Sequence, residues 1–217
     1  MAYLPTSSDF RAFALSLAIA CFTFYVIFDL ARRVRSADRG VAQLWGIGGS
    51  IVGGTGLWTM HFMGMQAHVL PIPVGYAVPM TFISLLAAVG AVGLALRMAT
   101  HSKLTRFRVI SGAIVIGAVL CAMHHTGMAA IALSPPVVWD GVMTAIAASL
   151  DIALAAAILV SFPLLRDSGG SAFVRQAVVS IALGLGFGGM HLLAMDAARV
   201  PPKPICFTVA SAGGPQL

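Results

Sequence analysis

Charged residues are too few for water to be the main solvent of this chain. They occupy 9% of the 217 positions while apolar residues occupy 59%, against about a quarter charged in a soluble domain. Cysteine is scarce as well: Cys21, Cys121 and Cys206 lie far apart with no CxxC spacing. Neither a disulfide framework nor a zinc knuckle is indicated, and the three read as small packing residues. No carboxylate-rich cluster or nucleophile–base constellation is present, so enzymatic activity is not expected. The net charge of +6 does not point to nucleic acid, because Lys and Arg sit mainly in the gaps between apolar runs, where membrane topology puts them.

What the sequence does have is apolar runs of membrane-spanning length, about 20 residues each. Spans are expected at roughly 11–31, 44–65, 79–98, 107–132, 142–164 and 173–196, bounded by charge, proline or glycine clusters. The first run is a retained span and not a cleaved signal, because its positive residues Arg32, Arg33 and Arg35 follow it. The connections after spans one, three and five carry Arg32, Arg33, Arg35 and Arg39, then Arg97, Lys103, Arg106 and Arg108, then Arg166 and Arg175. These three are expected in the cytoplasm. The alternate connections, 66–79 and 134–141, contain no Lys or Arg and hold Tyr76 and Trp139 as interfacial anchors. They are expected outside with the N-terminus and the tail from Ala197 onward, with Arg199 and Lys203 weakening the placement of the tail. The expected architecture is all-α: a polytopic bundle of about six transmembrane helices over residues 1–199 with a short non-spanning tail, 200–217. The number becomes seven if the sequence stops short of a further helix.

Three spans end in related hexapeptides: Met60-His61-Phe62-Met63-Gly64-Met65, Met123-His124-His125-Thr126-Gly127-Met128 and Met190-His191-Leu192-Leu193-Ala194-Met195. Their starts are 63 and 67 residues apart, one helical hairpin per step, so the chain reads as three parallel two-helix repeats. At about 100° per residue, each His shares a face with the Met four positions later. Gly54, Gly117 and Gly184, seven before each His, lie on that same face two turns deeper and allow close helix approach. Together with Gly64, Gly127 and Ala194 they leave a smooth stripe that should turn the His/Met faces toward one another.

Imidazole with thioether sulfur suits copper, Cu(I) above all, and is a poor set for magnesium. The candidate metal ligands are His61, Met65, His124, Met128, His191 and Met195, with Met60, Met123 and Met190 at the motif starts. Met63, His125 and His68 are further donors nearby. Haem is the lower-ranked cofactor, since two of the three histidines could ligate it axially. His68 and His101 read as solvated loop residues. Asp151 falls inside the fifth span, where an ionisable group is costly and usually functional; Asp196 is either an acceptor for a ligating histidine or an interfacial residue.

These hexapeptides resemble those of the MHYT domain, a bacterial integral-membrane sensor module named for Met-His-Tyr-Thr. The second motif is the nearest match, and the first is preceded by Trp58-Thr59. The resemblance covers nearly the whole chain. It implies a sensor in the bacterial cytoplasmic (inner) membrane that holds copper near the outer face and detects oxygen, carbon monoxide or nitric oxide. It also implies coupling to a cytoplasmic signalling domain or protein, commonly one that makes or degrades cyclic di-GMP. The family's tyrosine is replaced by Phe62, His125 and Leu192, which puts any role for a phenol there in doubt. The third motif has drifted furthest.

The expected function is therefore a signalling receptor with a copper site that binds a diatomic gas or changes redox state. Its expected partners are the lipid bilayer, the gas and a cyclic di-GMP-related output, with no nucleic acid. The alternatives are a copper transporter or chaperone with Asp151 on the ion path, and a haem-binding membrane protein.

Overall fold

The computed structural model describes residues 3–4, 7–36, 38–101, 104–165, 171–202 and 204–207. The basic residues Lys103, Arg166 and Lys203 and the tail from 208 onward lie outside the described residues. The described residues form six helices: α1 (Phe10–Ser36), α2 (Arg39–Ala67), α3 (Val78–Ala99), α4 (Arg106–Ala129), α5 (Gly141–Leu164) and α6 (Ala172–Ala197). Five of them are long and apolar enough to cross a membrane; the glycine-rich α2 is the exception among the described helices. It lies between α1 and α3 in the same bundle.

Local chemistry sets the helix ends. The carboxylate of Asp9 accepts from Arg11 N, Thr105 Oγ1 accepts from Arg108 N, and Asp140 Oδ1 accepts from Val142 N and Met143 N. Each supplies a partner to an amide that the first helical turn leaves unpaired. Pro79 opens α3, where its missing N–H costs nothing. The fourth span was expected to run to 132 but its helix ends at Ala129, because Ala132 adopts a positive φ of 51°, which a helix cannot continue through.

Each helix packs against the next in sequence, and α6 closes on α1, so the six form a ring. Gly54, Gly117 and Gly184 let the helices of this ring approach backbone to backbone. A Cβ at each would meet backbone of Val89 on α3, Ile152 on α5 and Cys21 on α1 respectively. The equivalent glycines thus serve three equivalent seams, but they bring each even-numbered helix against an odd-numbered neighbour and not against another even one. Apolar tails offer no hydrophobic drive between helices, so this close contact is a main source of association. Cys21 is a packing residue at one of these seams.

At the end of the bundle where α2, α4 and α6 finish, three two-residue ladders join the connections. β1 (Ser7–Ser8) pairs with β2 (His68–Val69), β3 (Leu133–Ser134) with β6 (Ile205–Cys206), and β4 (Val138–Trp139) with β5 (Ala198–Arg199). The opposite end carries Arg32, Arg33, Arg39, Arg97, Arg106 and Arg108, where Asp29 binds Arg33 at 2.7 Å and Arg32 at 3.0 Å. Arg199 falls at the ladder end, and its guanidinium meets Asp140 at 2.8 Å.

Candidate metal centre

The threefold pattern in the sequence becomes a threefold register in space. The amides of Asp9, Ala77 and Asp140, just ahead of the odd-numbered helices, donate to the carbonyls of Ala67, Ala130 and Ala197 at 2.8, 2.7 and 2.9 Å. Each of those alanines stands six residues after the motif histidine. The same clamp therefore holds each hairpin at the same height and brings His61, His124 and His191 to one depth.

The three imidazoles converge. Their ring centroids are 5.0 Å (61–124), 5.1 Å (61–191) and 5.6 Å (124–191) apart, and the side chains are buried, at 1%, 6% and 3% relative exposure. His61 Nδ1 lies 3.5 Å from His191 Nδ1, and one nitrogen from each ring falls within 4.8 Å of the other two. Two nitrogens on one metal at about 2.0–2.1 Å, trigonal or tetrahedral, stand about 3.4–3.6 Å apart. Nε2 of all three rings is buried without a hydrogen-bond partner among the described residues; in His61 and His191 it is the nitrogen opposite the one in the 3.5 Å pair.

The small residues of the motifs are seats for these rings. A Cβ at Gly64 would strike Nε2 of His191, and one at Gly127 would strike Nε2 of His61. Ala194, the third equivalent, lines a small cavity with His124. The His61 and His191 rings thus cross onto the motif of another repeat, which spacing along one helix could not reveal.

The methionines flank the triad in two layers. Met60, Met123 and Met190 belong to the deep apolar core, and with the three histidines they line a cavity of about 20 Å³. Met65, Met128 and Met195 belong to a second cluster with Phe62, Ile131 and Cys206 under the ladders. Ser16 on α1 donates to the carbonyl of Met60 at 2.7 Å, a support that no motif announced.

Asp151 on α5 lines both this cavity and the adjacent one beside His124, His125 and Cys121. It is 3% exposed, and its Oδ1 has no partner among the described residues. The other donors are elsewhere. His125 stacks on Trp139 at 4.4 Å and its Nδ1 lies 2.8 Å from the carbonyl of Cys121. Asp196 faces His68 Nε2 at 3.5 Å and not the triad. His68 was expected to be solvated, yet its side chain is only 9% exposed, because the β1–β2 ladder folds it under the cap. Tyr76 is more than an interfacial anchor: it packs at 5.3 Å from Phe62, which stands where the family has tyrosine, and burial pushes its hydroxyl above the ordinary value.

A ring of apolar helices around three buried, converging histidines defines a multi-pass membrane protein with a candidate internal metal site. The MHYT family profile, a bacterial signalling protein N-terminal repeat, matches residues 54–112 and 117–174, and the chain belongs to this family. The two matches begin at Gly54 and Gly117, equivalent positions in the repeat. The chain is 38% identical over 194 residues to the bifunctional diguanylate cyclase/cyclic di-GMP phosphodiesterase MucR of Pseudomonas aeruginosa, covering 89% of this chain and 28% of that protein. It is 34% identical to the signalling protein YkoW of Bacillus subtilis (85% of this chain, 23% of that protein). To the cyclic di-GMP phosphodiesterase NbdA of Pseudomonas aeruginosa it is 30% identical (85% and 24%). The chain thus spans about a quarter of the length of these curated relatives. No solved structure matches it.

Proposed function

We propose that this chain is the sensing part of a membrane signalling system, in which His61, His124 and His191 hold a copper ion near the outer face of the bacterial inner membrane. The observation that carries this reading is the convergence of three buried imidazoles, one nitrogen of each within 4.8 Å of the other two. When bound, copper would supply a centre for a diatomic gas (oxygen, carbon monoxide or nitric oxide) or for a one-electron change of state. The protein's part is to hold the His191 and His61 rings against Gly64 and Gly127, and to exclude water with Leu57, Leu120 and Phe187 around the inner cavity. Met65, Met128 and Met195, with Met60, Met123 and Met190 below, offer soft sulfur, which favours Cu(I) over zinc.

Because the triad joins α2, α4 and α6, a change in its geometry would bear on three helices whose other ends reach the basic face. A signal passes only if two states of that arrangement bind the ligand differently. The family, and relatives named for cyclic di-GMP chemistry, support an output of that kind on the cytoplasmic side, with the N-terminus outside and residues 1–199 as the sensing unit. We read this chain as the receptor and not as a catalyst. The inner cavity of about 20 Å³ has no room for a macrocycle, which ranks haem below copper.

Elemental analysis and an optical spectrum of detergent-purified protein, wild type against a His61/His124/His191 triple Ala variant, test the reading. Near-stoichiometric copper lost in the folded variant is the expected result. Equal metal content in both would overturn it.

A further inference from the structure

A second cavity, separate from the one beside the histidines, is lined by the described residues. It lies on the ladder side of the triad and measures about 590 Å³, within the usual range for small-molecule sites and far beyond what a diatomic gas needs. Met65, Met128 and Met195 line it on the side of the triad, and the cap residues Val69, Leu70 and Leu133 on the other.

Its polar side chains are Tyr3, Gln66, His68, Tyr76, Asp196 and Arg199, among which His68 has a free acceptor. His68 lines the cavity with a side chain nine-tenths buried. Its Nε2 faces the Asp196 carboxylate at 3.5 Å; a carboxylate only accepts, so this contact assigns the proton of the neutral ring to Nε2. Nδ1 is then an acceptor, and it is buried with no partner among the described residues. A buried acceptor without a donor is a standing cost that a ligand hydroxyl or N–H would relieve. The charged groups of the lining are one of each sign. Asp196 engages His68, and Arg199 is held by Asp140 at 2.8 Å and lies over the Tyr3 ring at 5.4 Å. The rest of the wall is mainly apolar, so a net charge on the occupant would gain nothing to offset its desolvation.

We propose that this cavity is a second ligand site, which takes an uncharged, mainly apolar ring molecule bearing a hydroxyl group, of the phenol or quinol class, with its O–H donated to His68 Nδ1. Its hydrogen-bonding group, His68, is not one of the three histidines proposed to hold the metal. The cavity shares Met65, Met128 and Met195 with the metal reading, so an occupant stands directly over the histidine end of α2, α4 and α6.

The test is equilibrium binding of 1-naphthol to the full chain in lipid nanodiscs, read by naphthol fluorescence, with 1-methoxynaphthalene as the probe that cannot donate. Saturable binding of one naphthol per chain is expected, at least tenfold weaker for the methyl ether and for His68→Phe, and absent in Val137→Trp, which fills the cavity. Unchanged helical content and melting temperature would show that both variants remain folded. Partition no greater than that of empty nanodiscs, or equal affinity for naphthol in wild type and His68→Phe, would overturn the proposal.

Discussion

The imidazole of His61, carried by α2, rests on Gly127 of α4 so closely that a methyl group at position 127 would overlap Nε2. The same relation holds between His191 and Gly64, so the ring of one repeat is seated on the motif of another. Gly127→Ala should therefore act on the site and not on the helix. Alanine favours a helix by about 1 kcal/mol over glycine, yet the His61 ring must move. Metal affinity is expected to fall at least tenfold with helical content retained, as read by competition titration against a chromophoric chelator. Undiminished affinity would mean that the ring is not held where it binds.

The outer methionines separate soft-metal selection from packing. Replacing Met65, Met128 and Met195 together by Leu conserves volume, and each exchange should cost under about 1.5 kcal/mol. The buried cluster with Phe62 and Ile131 should stay intact, while the preference for Cu(I) over zinc should drop by an order of magnitude or more. Competition between the two ions, followed by elemental analysis, measures it; an unchanged ratio assigns the selectivity to the histidines alone.

Asp151 should show opposite effects on stability and on binding. A buried carboxylate without a partner opposes folding, so Asp151→Asn is expected to raise the melting temperature by a few degrees. The same exchange removes a carboxylate from the wall of the histidine cavity and should weaken binding of a cation there. Thermal melts and metal titration on one preparation give both numbers, and a variant that is less stable but binds normally would make Asp151 a structural acid.

The seam between α4 and α5 gives a prediction about the bundle itself. Gly117→Val would press side-chain atoms onto the backbone of Ile152, and a loss of roughly 2–3 kcal/mol is expected, in the range for overpacked cores. Gly90→Ala is the control: nothing lies within 4 Å of a Cβ there, so α3 should be unharmed or slightly stabilised. Unfolding in graded denaturing detergent compares the two.

The sequence alone determined the features that depend on neighbours along the chain. Span positions follow from apolar run length, because a lipid-embedded backbone must satisfy its hydrogen bonds within each helix. The six helices accordingly fall within a few residues of the expected spans, and the repeat of Met-His with a small residue three positions on marked His61, His124 and His191 before any fold was known. The tertiary structure decided everything that needs two segments at once. Spacing could show that His61 and Met65 share a face, but not that His61 crosses to Gly127 while His125, one residue from a triad member, turns away to Trp139. Gly54 was expected to join the histidine faces; instead it meets Val89 on α3. His68 and Tyr76 looked like surface residues because loop composition carries no signal of burial, and only the pairing of the short ladders folds them into a wall. Periodicity encodes direction around one helix axis, whereas the partner across the gap is set by packing of the whole ring.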